Sequence, residues 1–110
     1  RSGLKLDQID LFEINEAFAA QIMACRKVAN DKDLSAKWDM EPMGDIPMAK
    51  LNVNGGVIAL GHPMGATGSI MMGVLIDELE RRDCKRGVVA TSGAAGSGTA
   101  LLVDRVVGEG

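Results

Sequence analysis

Aromatic residues are scarce in this chain: two phenylalanines, one tryptophan and no tyrosine in 110 residues. Whatever core forms must therefore be aliphatic and methionine-rich. Histidine is scarcer still, with His62 alone. One imidazole among scattered carboxylates makes no credible metal site. The two cysteines, Cys25 and Cys84, stand far apart without metal-ligand spacing, which points to a reducing compartment rather than a disulfide framework. The net charge of −3 and the lack of any basic run argue against a nucleic-acid partner. No signal peptide and no apolar run long enough for a membrane span is present. Nucleotide loops are absent too: Gly61, Gly65 and Gly68 lack Gly-x-Gly-x-x-Gly spacing, and no Gly-Lys-Ser/Thr follows. A hydrolase elbow is met only in part, by Gly96-Ser97-Gly98. The chain opens Arg1-Ser2-Gly3 without an initiator methionine, as expected of a processed product or a piece of something longer.

What is plentiful is glycine, fourteen in all, against 46% hydrophobic and 25% charged residues. That balance fits one globular domain with a modest core. The chain is organised around residues 52–67, N-V-N-G-G-V-I-A-L-G-H-P-M-G-A-T. Asn54-Gly55 is a turn signal, and Gly55, Gly56, Gly61, Gly65 and Gly68 are free to adopt positive φ. Pro63 fixes its own φ and biases His62 away from the helical region. A loop of this kind leading into a helix holds an imidazole at one place. It presents a base, or it is an ordinary tight loop.

Residues 10–14 alternate as a short strand, with Phe12 and Ile14 on one face. Asn15 then stands where a helix N-cap should, with Glu16 in the first turn. Residues 16–30 predict a helix that is apolar almost all round, so it should be buried on most sides. Residues 31–50 are charged and carry Pro42, Gly44 and Pro47, which predicts a surface excursion. Within it, Trp38, Met40, Met43 and Met48 form either a small satellite cluster or a partner contact. A second helix, capped by Thr67 or Ser69, should run to Arg82. Its first half is apolar, and its second half (D-E-L-E-R-R) reads as solvated, so the helix is expected to start deep and emerge into water.

Residues 87–90 and 99–107 read as two strands joined by a turn of small residues into an antiparallel pair. That turn is either a flexible tip or a place where backbone N–H groups approach a ligand. The order of elements predicts an α/β layer arrangement with a mixed sheet.

Three stretches carry a resemblance to a known family. Asn15-Glu16-Ala17-Phe18-Ala19 is the first. Asn52-x-Asn54-Gly55-Gly56-x-Ile58-Ala59-x-Gly61-His62-Pro63-x-Gly65-Ala66-x-Gly68 is the second, and the final glycine-rich turn is the third. In this order, over nearly the whole chain, they resemble the C-terminal half of a thiolase (acetyl-CoA C-acyltransferase). The resemblance implies a thiolase-like layered fold, a mixed sheet with buried helices, of which this chain is an incomplete C-terminal part. It implies that His62 activates a nucleophilic cysteine and lines an oxyanion hole, and that Asn15 holds a water in that hole. It places Ala94, Gly61 and Gly56 among the oxyanion and substrate-binding positions. The implied substrates are acetyl-CoA or CoA and a 3-ketoacyl-CoA, with no metal or prosthetic group.

Two departures accompany it. The family's second reactive cysteine, an acid/base toward the α-carbon of acetyl-CoA, aligns with Ser92, followed by Gly93-Ala94-Ala95. A hydroxyl ionises far less readily than a thiol of reference pKa about 8.5, so normal turnover comes into question. The nucleophilic cysteine belongs to the N-terminal half, which the resemblance assigns to missing chain or a partner chain. This chain by itself is therefore expected to be inactive. The length of residues 31–50 is similar to the insertion in thiolase subunits of fatty-acid β-oxidation complexes. The family further implies a dimer or tetramer, in the cytoplasm or in a mitochondrial matrix or peroxisome. The rival expectation is a thiolase-like protein that binds acyl-CoA or lipid, or assembles with an active partner, without catalysis. A related decarboxylating or hydrolysing acyl-CoA enzyme is a third.

Overall fold

The structure, a computed structural model, describes residues 2–106. The alternating run predicted near residue 10 forms strand β1 (Leu11–Ile14). It pairs in parallel with β2 (Arg86–Ser92), Leu11 opposite Gly87 and Ile14 opposite Ala90. β2 pairs antiparallel with β3 (Gly98–Asp104), from Arg86 opposite Asp104 to Ser92 opposite Gly98. The sheet order β1-β2-β3 is thus mixed, as the order of elements implied. Val107, the last residue of the strand predicted to end there, lies outside the described residues. The ladder is capped at one end by Asp10, whose carboxylate accepts the backbone N–H groups of Lys85 and Arg86, each at 2.9 Å.

Period-two alternation gives the sheet two apolar faces. Phe12 joins Ile9, Ile22, Ile46 and Leu51 on one side, with Ile14 and Val88 packed alongside. Leu11 and Val89 join Met71, Leu75 and Leu79 on the other. The second layer belongs to α4 (Thr67–Arg81). Gly87 lets that helix close on the sheet, since a Cβ there would lie 2.7 Å from Leu75 Cδ1.

The first helix differs from expectation at its start and in its burial. α1 spans Ala19–Asn30, with Phe18 rather than Asn15 at the cap position. The reason is the sheet: the Asn15 N–H donates to the Ala90 carbonyl at 2.9 Å, so the chain is still extended there. Only Ile22 of this helix is buried, while Phe18 and Met23 are 75% and 70% exposed. Among the described residues nothing covers its outer side.

Residues 31–50 are more than an excursion. Asp31 caps a short helix α2 (Lys32–Ala36), its carboxylate accepting the N–H groups of Asp33 and Leu34. Ile46 returns to the core beside Phe12, and the Arg26 Nε donates to its carbonyl at 2.7 Å. Trp38, Met40 and Met43 line an open groove against α1, whereas Met48 is not among the groove's residues.

The single turn α3 (Val57–Leu60) precedes the His62 loop. The helix after it buries one face along its length, from Thr67 to Leu79, and only its last residues, Glu80 to Arg82, emerge into water. α4 is capped by Ala66 without a side-chain bond, so neither Thr67 nor Ser69 acts as its cap. Thr67, Met71, Leu75, Glu78 and Leu79 form the buried face, while Ile70 and Ile76, in the two halves of the helix, stay 48% and 42% exposed. The sheet packs on this face, where Met71, Leu75 and Leu79 meet Leu11 and Val89, and Glu78 lies within it. The charged run is tolerated there because Arg81 and Arg82, one turn on, both reach the buried Glu78 carboxylate.

Candidate active site

Three loops build the site. The first is the end of β1, where Asn15 is held in the ladder and is 6% exposed. The second is the glycine loop. Its Asn54-Gly55 turn closes through the Gly55 N–H to the Asn52 carbonyl at 2.9 Å, with Gly55 at φ 84°. Gly61 follows α3 at φ 95°, a conformation that side chains rarely adopt, and delivers His62 and Pro63 to the start of α4. The third is the end of β2, which carries Ser92.

The first two loops are clamped together by Asn52, which itself sits at φ 46°, in the left-handed region that asparagine tolerates. Its side-chain carbonyl accepts the Ile14 N–H at 2.8 Å, and its amide donates to the Ile14 carbonyl and to Glu16 Oε1, both at 2.9 Å. The glutamate of the Asn-Glu-Ala-Phe run is thus drawn under the glycine loop. A Cβ on Gly56 would collide with the Glu16 carboxylate, so any other residue there would push Glu16 out of this place beside Asn52.

Asn15, His62 and Ser92 line one cleft of about 700 Å³, together with Thr67, Thr91 and Thr99 at its polar edge and Met64, Met72, Val89 and Leu101 as apolar wall. The Asn15 Oδ1 is buried without a hydrogen-bond partner among the described residues. An orphaned acceptor of this kind is costly, and a water or a ligand donor relieves it. His62 is exposed to the cleft, its Nδ1 2.7 Å from the Thr67 hydroxyl. The remaining predicted site residues stand elsewhere. Gly61 and Gly56 line a separate small pocket behind the loop, with Glu13. Ala94 lies in the hairpin tip, a 3-10 turn over Ala94–Gly96, where its carbonyl accepts the Ser97 hydroxyl at 2.9 Å.

The sequence did not single out two neighbours of this site. Thr67, one of two candidate caps in the sequence, instead turns its hydroxyl to His62 and the Pro63 carbonyl. Glu13 lies in the middle of the strand run, 4% exposed; burial first, then the charges of Glu16 and Glu78, raises its pKa to about 7. Its signal was available: a carboxylate at the same register face as Leu11 sits where a core residue belongs. Among the described residues no group of three His, Cys, Asp or Glu could hold a metal ion. None of their helices is long and apolar enough to cross a membrane.

Comparison with known proteins agrees with the motifs. Residues 1–105 match the family model described as the thiolase C-terminal domain. The chain is 44% identical over 106 residues to "3-ketoacyl-CoA thiolase 2, peroxisomal" of Arabidopsis thaliana, covering 94% of this chain and 20% of that protein. It is 43% identical over 106 residues to "3-ketoacyl CoA thiolase 1, peroxisomal" of Petunia hybrida, with the same coverage. Against the 3-ketoacyl-CoA thiolase of Aliivibrio salmonicida it is 44% identical over 105 residues, 96% of this chain and 24% of that protein. It therefore spans between a fifth and a quarter of the relatives it matches. With a cleft that gathers the Asn-Glu-Ala-Phe asparagine and the Gly-His-Pro histidine, and a domain match over almost its whole length, the chain belongs to the thiolase family through its C-terminal domain.

Proposed function

We propose that this chain supplies part of the acyl-CoA site of a thiolase-type acyltransferase, acting on a 3-ketoacyl-CoA and CoA or, in reverse, condensing acetyl-CoA. The observation that carries the reading is that Asn15, His62 and Ser92, far apart in sequence, open on one cleft. Thiolysis needs a thiolate nucleophile, a base to generate it, and donors for the oxygen that becomes negative. His62 is the base and, once protonated, a donor. The unpartnered Asn15 Oδ1 holds a water whose own proton points at the thioester oxygen. The nucleophilic cysteine comes from outside these 110 residues, in the same polypeptide or a partner chain. CoA is a substrate here and not a resident cofactor. The assembly is a dimer or tetramer in the cytoplasm, a mitochondrial matrix or a peroxisome.

Ser92 occupies the position from which the family exchanges a proton with the α-carbon. It favours a second reading, a thiolase-like protein that binds acyl-CoA or lipid without turning it over. Both readings are tested in the full polypeptide that carries this chain, by mass analysis of products from a 3-ketoacyl-CoA with CoA. The enzyme reading expects acetyl-CoA and a shortened acyl-CoA, a loss of about 10²–10⁴-fold in kcat for His62→Ala, and faster turnover for Ser92→Cys. Binding without cleavage, unrescued by Ser92→Cys, decides for the second reading. Hydrolysis to the free acid would instead indicate a related hydrolysing enzyme.

A further inference from the structure

The contact between His62 and Thr67 bears on which ring nitrogen carries the proton. Thr67 is the first residue of α4, 4% exposed, so its side chain is fixed by packing. Its hydroxyl has one hydrogen and two neighbours, the His62 Nδ1 at 2.7 Å and the Pro63 carbonyl at 3.1 Å. If the hydroxyl donates to Nδ1, the contact with the carbonyl is left without a hydrogen. If the hydroxyl donates to the carbonyl and Nδ1–H donates to the hydroxyl, both contacts are hydrogen bonds. The carbonyl lies four residues back from Thr67, where a helical threonine habitually bonds.

We propose that Thr67 is a positioning residue that holds His62 with its proton on Nδ1, leaving Nε2 as the ring's proton acceptor in the cleft. A ring so held accepts a proton at Nε2 without turning. The bond from Nδ1 to Thr67 is the same before and after, because the charged ring also donates from Nδ1. The carbonyl that anchors this relay is itself fixed, since it accepts the N–H groups of Ala66 at 2.8 Å and Thr67 at 3.0 Å. The hydroxyl is the longest of its three donors, which makes the tautomer the quantity to measure. The inference rests on the reading of His62 as the base, but its spectroscopic test does not.

The experiment uses the full polypeptide carrying this chain, labelled with ¹⁵N-histidine, the His62 signals being assigned by their loss in His62→Gln. Long-range ¹H–¹⁵N spectra separate a protonated from an unprotonated ring nitrogen. The parent protein is expected to show Nδ1 protonated and Nε2 bare. Thr67→Val, of the same shape without the hydroxyl, should mix or reverse the two, and Thr67→Ser should restore the parent pattern. Thr67→Ala serves if the valine variant fails to fold. In kinetics, kcat should fall about 10–100-fold in Thr67→Val with KM changed far less, and recover in Thr67→Ser. A parent spectrum with Nε2 protonated, or an unchanged tautomer in the hydroxyl-free variants, overturns the proposal. Absence of thiolysis with the expected tautomer overturns the functional reading alone.

Discussion

Glu13 and Glu78 are almost equally hidden, at 4% and 3% exposure, and the protein treats them in opposite ways. They belong to the same layer, between β1 and α4, and each is close enough to influence the other. Glu78 is held well below the usual carboxylate range, first by its hydrogen bond from Arg81, then by Asn54, which donates at 3.0 Å, and by Arg82. Glu13 lies against glycines and the apolar side chains of Met71 and Val74, with no ion-pair partner among the described residues, and its pKa rises to about 7. Burial alone therefore does not decide the charge of a carboxylate; the partners that enter with it do. The layer carries a charged end at the C-terminus of α4 and a proton-holding end behind the histidine loop.

The contrast is most severely tested by removing the packing that hides Glu13. Met71→Ala should cost ~2–5 kcal/mol in chemical denaturation and return the Glu13 titration toward its ordinary range. An unmoved titration would assign the shift to neighbouring charge instead. Glu78→Gln comes next, because it strands two guanidinium groups at an amide. Its folded pKa lies below the unfolded value of 4.5, so the unfolded chain protonates first as the pH falls. The stability that Glu78 contributes is thus present above pH 4.5 and lost below it. The gap between parent and Glu78→Gln in denaturation midpoint should be wide at pH 7 and close in acid.

Glu13→Gln should act with the reverse sign. With a folded pKa of about 7 above an unfolded 4.5, the favourable state is the protonated one. Its contribution is complete below pH 4.5 and disappears as the pH rises through 7. The glutamine variant should match the parent at pH 4 and exceed it at pH 8 by about 3 kcal/mol, the linkage of a carboxyl whose pKa folding raises from 4.5 to about 7. Equal stability of the two proteins at pH 8 would remove the contrast.

Much of this was legible in the sequence. Alternation marked β1 and the hairpin, and the order of elements gave the mixed sheet. The motifs named Asn15, His62 and Ser92 as one group before any geometry was known, and these three do share the cleft. What was not legible depends on remote contacts. The run Asp77-Glu78-Leu79-Glu80-Arg81-Arg82 reads as solvated, and four of its six residues are exposed; that Glu78 turns inward beside Leu79 is hidden because nothing local shows that Gly87 opens a place for α4 on the sheet. Asn15 reads as a helix cap because its bond to Ala90 crosses most of the chain. Gly61 and Gly56 earn their places by backbone conformation and by the approach of Glu16, neither of which puts them in the cleft. The prediction that both helices are buried was correct about their composition and premature about what this chain can cover.

The Asn52 clamp has a consequence for how such a domain tolerates change in length. Its amide meets both backbone groups of Ile14, and its own N–H meets the Phe12 carbonyl at 2.8 Å, as a paired strand would. At the far side of the same stretch, the N–H groups of Met43 and Gly44 are both moored to the Ala29 carbonyl. The chain between Asn30 and Met43 therefore begins and ends at points anchored independently of it. Beyond α2, whose Ser35 is buried and bonded to the Val28 carbonyl, residues can be gained or lost between Met40 and Met43 for little more than the entropy of a longer loop. The placement of Asn15 and His62 in space would be unchanged, which leaves this short arc of chain free to vary in length while the cleft keeps its shape.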